Sequence, residues 1–105
     1  MDAKNLAPVL ITAFNRDFHF CETLDALSKN KESKYTNLYI SIDGWKNEED
    51  KKKQEKIVQF AENYTNKFLS LNIDRKSKNL GLSRNITESI TSIINKYEKI
   101  IVLED

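Results

Sequence analysis

The chain has 105 residues, 31% of them charged and 39% hydrophobic. That is a globular composition with room for one layered core and no second domain. A formal net charge of +1 gives no electrostatic footprint for nucleic acid. No apolar run approaches the ~20 residues that cross a bilayer, and Met1-Asp2-Ala3-Lys4-Asn5 lacks the basic-then-apolar order of a signal peptide. The single Cys21 excludes an internal disulfide and fits a reducing compartment. A cytoplasmic location is expected, with peripheral association at the inner face of a membrane left open.

Pro8 to Ala13 is a short, continuous apolar run, the mark of a strand covered on both faces. Asn15 or Asp17 can cap the helix that follows, whose apolar positions Phe20, Leu24 and Leu27 keep helical spacing. Asn37 to Ile42 reads as a second strand, stopped by Asp43-Gly44. Asn47 caps a long helix that opens with Glu48, Glu49 and Asp50, where carboxylates suit the helix dipole. Its inner face is Ile57, Phe60, Ala61, Tyr64 and Phe68, and Lys51-Lys52-Lys53 belongs to its solvated side. Leu69 to Ile73 is a third strand, and Asp74 to Asn79 a polar loop. A third helix starts at Ser83, with Leu82, Ile86, Ile90, Ile93, Ile94 and Tyr97 on one stripe. Lys99 to Leu103 is a fourth strand, followed by Glu104-Asp105.

This βαβαβαβ order, with no hairpin signal, predicts an α/β fold: a mainly parallel sheet with helices on both faces. The chain stops on a strand with no helix to cover it, so it reads as a fragment of a larger domain. Its fourth strand is then an edge open to self-association.

Open parallel sheets bind ligands at the carboxyl ends of their strands. Phe14-Asn15-Arg16, Asp43-Gly44 and Glu104-Asp105 all fall there. Carboxylates at strand ends are hard oxygen ligands suited to Mg²⁺ or Mn²⁺, and Arg16 offers a fork of donors to a phosphate. Asp43 can accept from a base N–H or a ribose hydroxyl. The Gly81-Leu82-Ser83-Arg84-Asn85 stretch opens a helix whose N-terminus favours an anion. The two glycines of the chain, Gly44 and Gly81, both lie at this edge, where the backbone must turn sharply or approach a ligand. Together these features point to a nucleotide- or phosphate-binding α/β domain.

Four segments carry a family resemblance. Val9 to Arg16 with His19-Phe20 and Thr23, Leu24 and Leu27, Ser41 to Gly44, Asn79 to Ile86, and Ile101 to Asp105 resemble, in order, landmarks of glycosyltransferases with the GT-A type of fold. The likeness is to N-acetylglucosaminyltransferase I-type enzymes and bacterial sugar transferases, and it covers nearly the whole chain. It implies the N-terminal, Rossmann-like half of that fold and a UDP-sugar donor bound with Mn²⁺ or Mg²⁺. It also implies a saccharide or other hydroxyl acceptor. Arg16 would contact the nucleotide, Asp43 would read the base, and Ser83 and Arg84 would lie in the segment beside the donor. Glu104 and Asp105 would face the ribose and the metal-bound diphosphate, with Asp105 the acid nearest the metal. The family's direct metal ligand is the next acid along, and the acceptor half and general base are also missing, so the fragment is expected to be inactive alone.

The rivals fit less well. A phosphoacceptor signalling domain wants paired acids where strand one has Asn15-Arg16, and a nucleotidyltransferase wants a Gly-rich basic loop there. A plain interaction module needs neither glycines nor acids at the edge. Trp45 is read as packing over its loop rather than stacking on a base. Asn15 stands equally as a cap or a ligand contact. His19 and Cys21 are read as helix-surface and packed residues.

Overall fold

Val9–Ala13 (β1) is buried at every position because it lies inside the sheet with a parallel neighbour on each side. In the computed structural model, which describes residues 7–94, 97 and 100–104 (side chains of Leu82, Ser83 and Glu104 excepted), those neighbours are Asn37–Ile42 (β2) and Ile101–Glu104 (β4). Ser70–Arg75 (β3) pairs with the far side of β2, giving the all-parallel order β3-β2-β1-β4. Three helices make the crossovers: Asp17–Ser28 (α1), Glu48–Glu62 (α2) and Leu82–Ile94 (α3). The expected α/β fold with a parallel sheet is present.

The period of two along each strand sorts its side chains between two layers. Val9, Ile11, Ala13, Leu38, Ile40 and Ile42 form one buried cluster with Phe20, Leu24, Ile57 and Ala61 of α1 and α2. The opposite face carries Thr12 and Ser41, and there α3 packs through polar groups. The Ser41 hydroxyl donates to Asn85 Oδ1 (2.9 Å), and the Ser89 hydroxyl donates to Ser41 (2.8 Å). Moving outward from β1 through β2 to β3 keeps two right-handed crossovers on one face; the return from β3 to β4 needs the other face.

Several boundaries differ from those expected. Neither Asn15 nor Asp17 caps α1: Arg16 holds the cap position with no side-chain bond. Asn47 does cap α2, accepting the Asp50 N–H at 2.9 Å. That helix ends at Glu62, short of Tyr64 and Phe68. Asn63 and Thr65 bond back to the carbonyls of Gln59 and Glu62, which competes with helix continuation. Phe68 is still buried, delivered by a 3-10 turn at Thr65–Lys67. β3 runs two residues past Ile73, since Asp74 and Arg75 pair with Ser41 and Ile42 on an edge that needs no apolar face. On α3, Ile93 is buried but Ile94 is exposed, and the buried stripe includes Asn85 and Ser89, which apolar periodicity could not flag. Lys99 lies outside the described residues.

Phe20 is fully buried at the centre of the larger layer. Phe20→Ala is expected to cost about 3–5 kcal/mol, seen as a lower urea midpoint with an unchanged slope. The Tyr39 and Tyr97 hydroxyls meet at 3.0 Å, and burial, then this bond, push Tyr39 up to about 12. A phenol held neutral in the native state contributes fully below its unfolded value of 10.0, and that contribution is lost as pH rises toward about 12. Tyr97→Phe removes one cause, so spectrophotometric titration should find Tyr39 ionising at lower pH; an unshifted curve would contradict this account.

Candidate functional site

Two openings of about 340 Å³ each indent the surface. One lies on the α3 face, between Tyr39, Ser41, Ile73, Ser89 and Ile93; its two charged residues, Asp74 and Lys76, pair with each other. The other lies at the carboxyl ends of β1 and β2, lined by Phe14, Asn15, Arg16, Asp43, Lys46, Asn79, Gly81 and Asn85. Its size is near the lower end of small-molecule sites, about 300–1,000 Å³. Charge and position in the sheet both favour the second.

Asp43 holds this cleft together. It is 5% exposed, and its carboxylate accepts three backbone N–H groups: Gly44 (2.9 Å), Leu80 (2.8 Å) and Gly81 (3.0 Å). The chain just before α3 is thereby fastened over the end of β2. The helix N-terminus, which the sequence marks as an anion site, already has a protein carboxylate beside it. Gln54 Nε2 fixes the same residue from below by donating to its carbonyl (2.7 Å).

The two glycines answer to this clasp. A Cβ on Gly44 would stand 2.3 Å from the carbonyl carbon of Lys78 and 2.6 Å from the Asn79 nitrogen. Gly44 thus permits a close backbone approach, made to the protein's own loop. Gly81 has φ +84°, the left-handed region that glycine enters at least cost.

A second buried carboxylate, Asp50, ties the β1 loop to the β2 loop. One oxygen accepts from Asn15 Nδ2 (2.9 Å) and the other from the Lys46 N–H (3.2 Å). Asn15 is therefore a tether rather than a helix cap. Asn79 Nδ2 donates to the Gly44 carbonyl (2.8 Å), adding a third tie between loops.

Among the predicted site residues, Arg16 and Asp43 meet in the cleft. Arg84 does not line it and pairs with Glu88 one turn along α3 (3.3 Å). The side chains of Ser83 and Glu104, and all of Asp105, lie outside the described residues; the Glu104 backbone pairs with Thr12 at the end of β4. Trp45 is 40% exposed, with Lys51 and Arg75 over its ring at 5.3 and 5.4 Å. The sequence reading missed Lys46, Asn79 and Asn85. The two asparagines fall inside the Asn79–Ile86 segment it singled out, whereas nothing in Gly44-Trp45-Lys46 marks the lysine.

Among the described lining residues the charge is positive on balance, two cations against one carboxylate. Asp43 is the one carboxylate among the described lining residues, and backbone amides already surround it. Arg16 and Lys46 are both exposed there, so they dominate the charge of the described lining. Such a cleft suits an anion with neutral hydrogen-bonding groups attached. Among the described residues no three His, Cys, Asp or Glu side chains group as a metal ion requires. No helix among them is long and apolar enough to cross a membrane. Compared with models of known protein families, with curated proteins and with solved structures, the chain finds no match.

Asp43→Ala is expected to leave three N–H groups unpaired, at about 1–3 kcal/mol for each that water cannot reach. Asp43→Asn, which keeps one acceptor oxygen, should lose less. Gly44→Ala should destabilise the fold by forcing the backbone at residues 78–79 away. Urea denaturation of the three variants checks the ranking, and a native-like Gly44→Ala protein would count against the close approach.

Proposed function

We propose that this chain binds a nucleotide-sugar donor, with a UDP-sugar the favoured case, as the donor-binding part of a metal-dependent glycosyltransferase. The observation that carries the proposal is the coincidence of two independent lines. The cationic cleft lies between three of the segments that resemble GT-A landmarks, namely the β1 end, Asp43-Gly44 and Asn79 to Ile86. It also occupies the edge where open parallel sheets take their ligands. Arg16 and Lys46 supply charge for the diphosphate, and the carboxamides around them supply polar partners for the nucleoside.

In the complete reaction an acceptor hydroxyl, on a saccharide or similar molecule, attacks the anomeric carbon as the nucleoside diphosphate leaves. Arg16 and Lys46 would bind and orient the leaving group, because fixed cations favour the charge that develops on it. A divalent ion would supply Lewis-acid stabilisation when bound. The described residues do not form its site: Asp43 is committed to backbone amides, and the Glu104 side chain and all of Asp105 lie outside the described residues. The metal therefore rests on the sequence resemblance, and a cytoplasmic location on the single cysteine and the N-terminal sequence.

Titration with UDP and Mn²⁺, followed by backbone amide shifts, tests the reading. Shifts should cluster at Arg16, Asp43, Lys46 and Gly81. Arg16→Ala and Lys46→Ala should each weaken binding about tenfold, the scale of one lost charge-assisted contact. A folded protein unmoved by millimolar UDP and Mn²⁺ would sink the uridine-nucleotide proposal.

A further inference from the structure

The sequence resemblance gives base reading to Asp43, and the geometry points elsewhere. We infer that the carboxamide oxygens of Asn79 and Asn15 receive the hydrogen-bond donors of the bound nucleoside, with Asp43 acting only as the clasp beneath them. This inference rests on the nucleotide-sugar reading of the cleft.

A carboxylate offers about four acceptor sites. Three at Asp43 are filled by the N–H groups of Gly44, Leu80 and Gly81, and the residue is 5% exposed. Turning it toward a ligand would strip the anchors from the loop that forms the cleft wall. Asn79, in contrast, is exposed and lines the cleft. Its orientation is fixed by chemistry, since the Gly44 carbonyl can only accept and so must face Nδ2 (2.8 Å). Asn15 is oriented in the same way, with Nδ2 toward the Asp50 carboxylate (2.9 Å). In both residues the nitrogen is tethered and the carbonyl oxygen is the opposite end of a rigid planar group.

Two fixed acceptors beside two cations make a divided site: Arg16 and Lys46 for the diphosphate, Asn79 and Asn15 for neutral N–H or O–H donors. A uracil imide N–H and a ribose hydroxyl both satisfy such an oxygen. The unprotonated ring nitrogen of cytosine does not, because two lone pairs would face each other.

Calorimetric titration of the full chain with UDP, 2′-deoxy-UDP, CDP and inorganic pyrophosphate tests the division. Asn79→Ala should weaken UDP about five- to tenfold, the value of one neutral hydrogen bond, and leave pyrophosphate unchanged. Asn15→Ala serves as the second variant, and thermal melting shows that each protein is folded. Loss of preference for UDP over CDP in a variant assigns that residue to the base; loss of preference over 2′-deoxy-UDP assigns it to the ribose. The inference is overturned if both variants bind UDP as the parent does, or if pyrophosphate weakens in parallel. It is also overturned if the parent binds UDP no better than pyrophosphate. A folded parent that binds neither UDP nor pyrophosphate removes the donor-site reading itself.

Discussion

The carboxylate of Asp43, buried and ringed by the amides of Gly44, Leu80 and Gly81, is the contact on which the upper edge of this protein depends. A charge taken out of water is costly unless polar groups replace its hydration. Here three N–H dipoles do so, and two of them come from a loop 37 and 38 residues further along the chain. The contact also sets where the third crossover starts. The chain leaving β3 at the sheet's edge must return past β2 and β1 to reach β4, and this fastening delivers it to the opposite face. The fold's change of direction and the wall of the cleft are thus one structural event.

The same contact decides the charge of the site. With a net charge of +1, the protein as a whole has little field to steer a ligand. Locally the balance differs, because Asp43 and Asp50 are turned inward as acceptors for backbone and amide groups. Arg16 and Lys46 remain at the surface of the cleft. Withdrawing two carboxylates into loop-fixing roles therefore leaves the described lining of the pocket cationic in a chain of nearly balanced charge.

The fold was legible because β1 and β2 are short apolar runs and α1 and α2 keep helical apolar spacing, with Asn47 and the acids after it marking the start of α2. Position told that Gly44 and Gly81 mattered and that Asp43 lay at a strand end. Residue type could not tell what each would meet. An Asp-Gly pair after a strand looks the same whether its carboxylate awaits a ligand or clasps a loop, and the difference lies in backbone N–H groups that have no signature of their own. Asn85 and Ser89 escaped for a related reason: a polar residue on an apolar stripe reads as an interruption until Ser41 is found opposite it across the core. Arg84, which the resemblance sets beside the donor, pairs with Glu88 on the exposed side of α3.

The polar seam under α3 explains how a small domain keeps this edge in one arrangement. Apolar attraction is non-directional, whereas a chain of hydrogen bonds is satisfied in one register and so adds specificity to the packing. Ser89 bonds to Ser41, Ser41 bonds to Asn85, and Asn85 also lines the cleft. Thr12 stands beside Ser41 across the β1–β2 pair, and its Oγ1 is the one buried side-chain polar atom among the described residues that lacks a partner. Displacing α3 would add Ser41, Asn85 and Ser89 to that unsatisfied set, each at about 1–3 kcal/mol. The helix is therefore held by what its movement would leave unpaired as much as by the apolar surface it covers. Since Gly81, the residue before that helix, is bound to Asp43, the register of α3 and the shape of the cleft are set together. A ligand bound between Arg16, Lys46 and Asn79, as proposed, would meet loops already fixed in place, so the ordering it must supply is confined to the exposed Arg16 and Lys46 side chains.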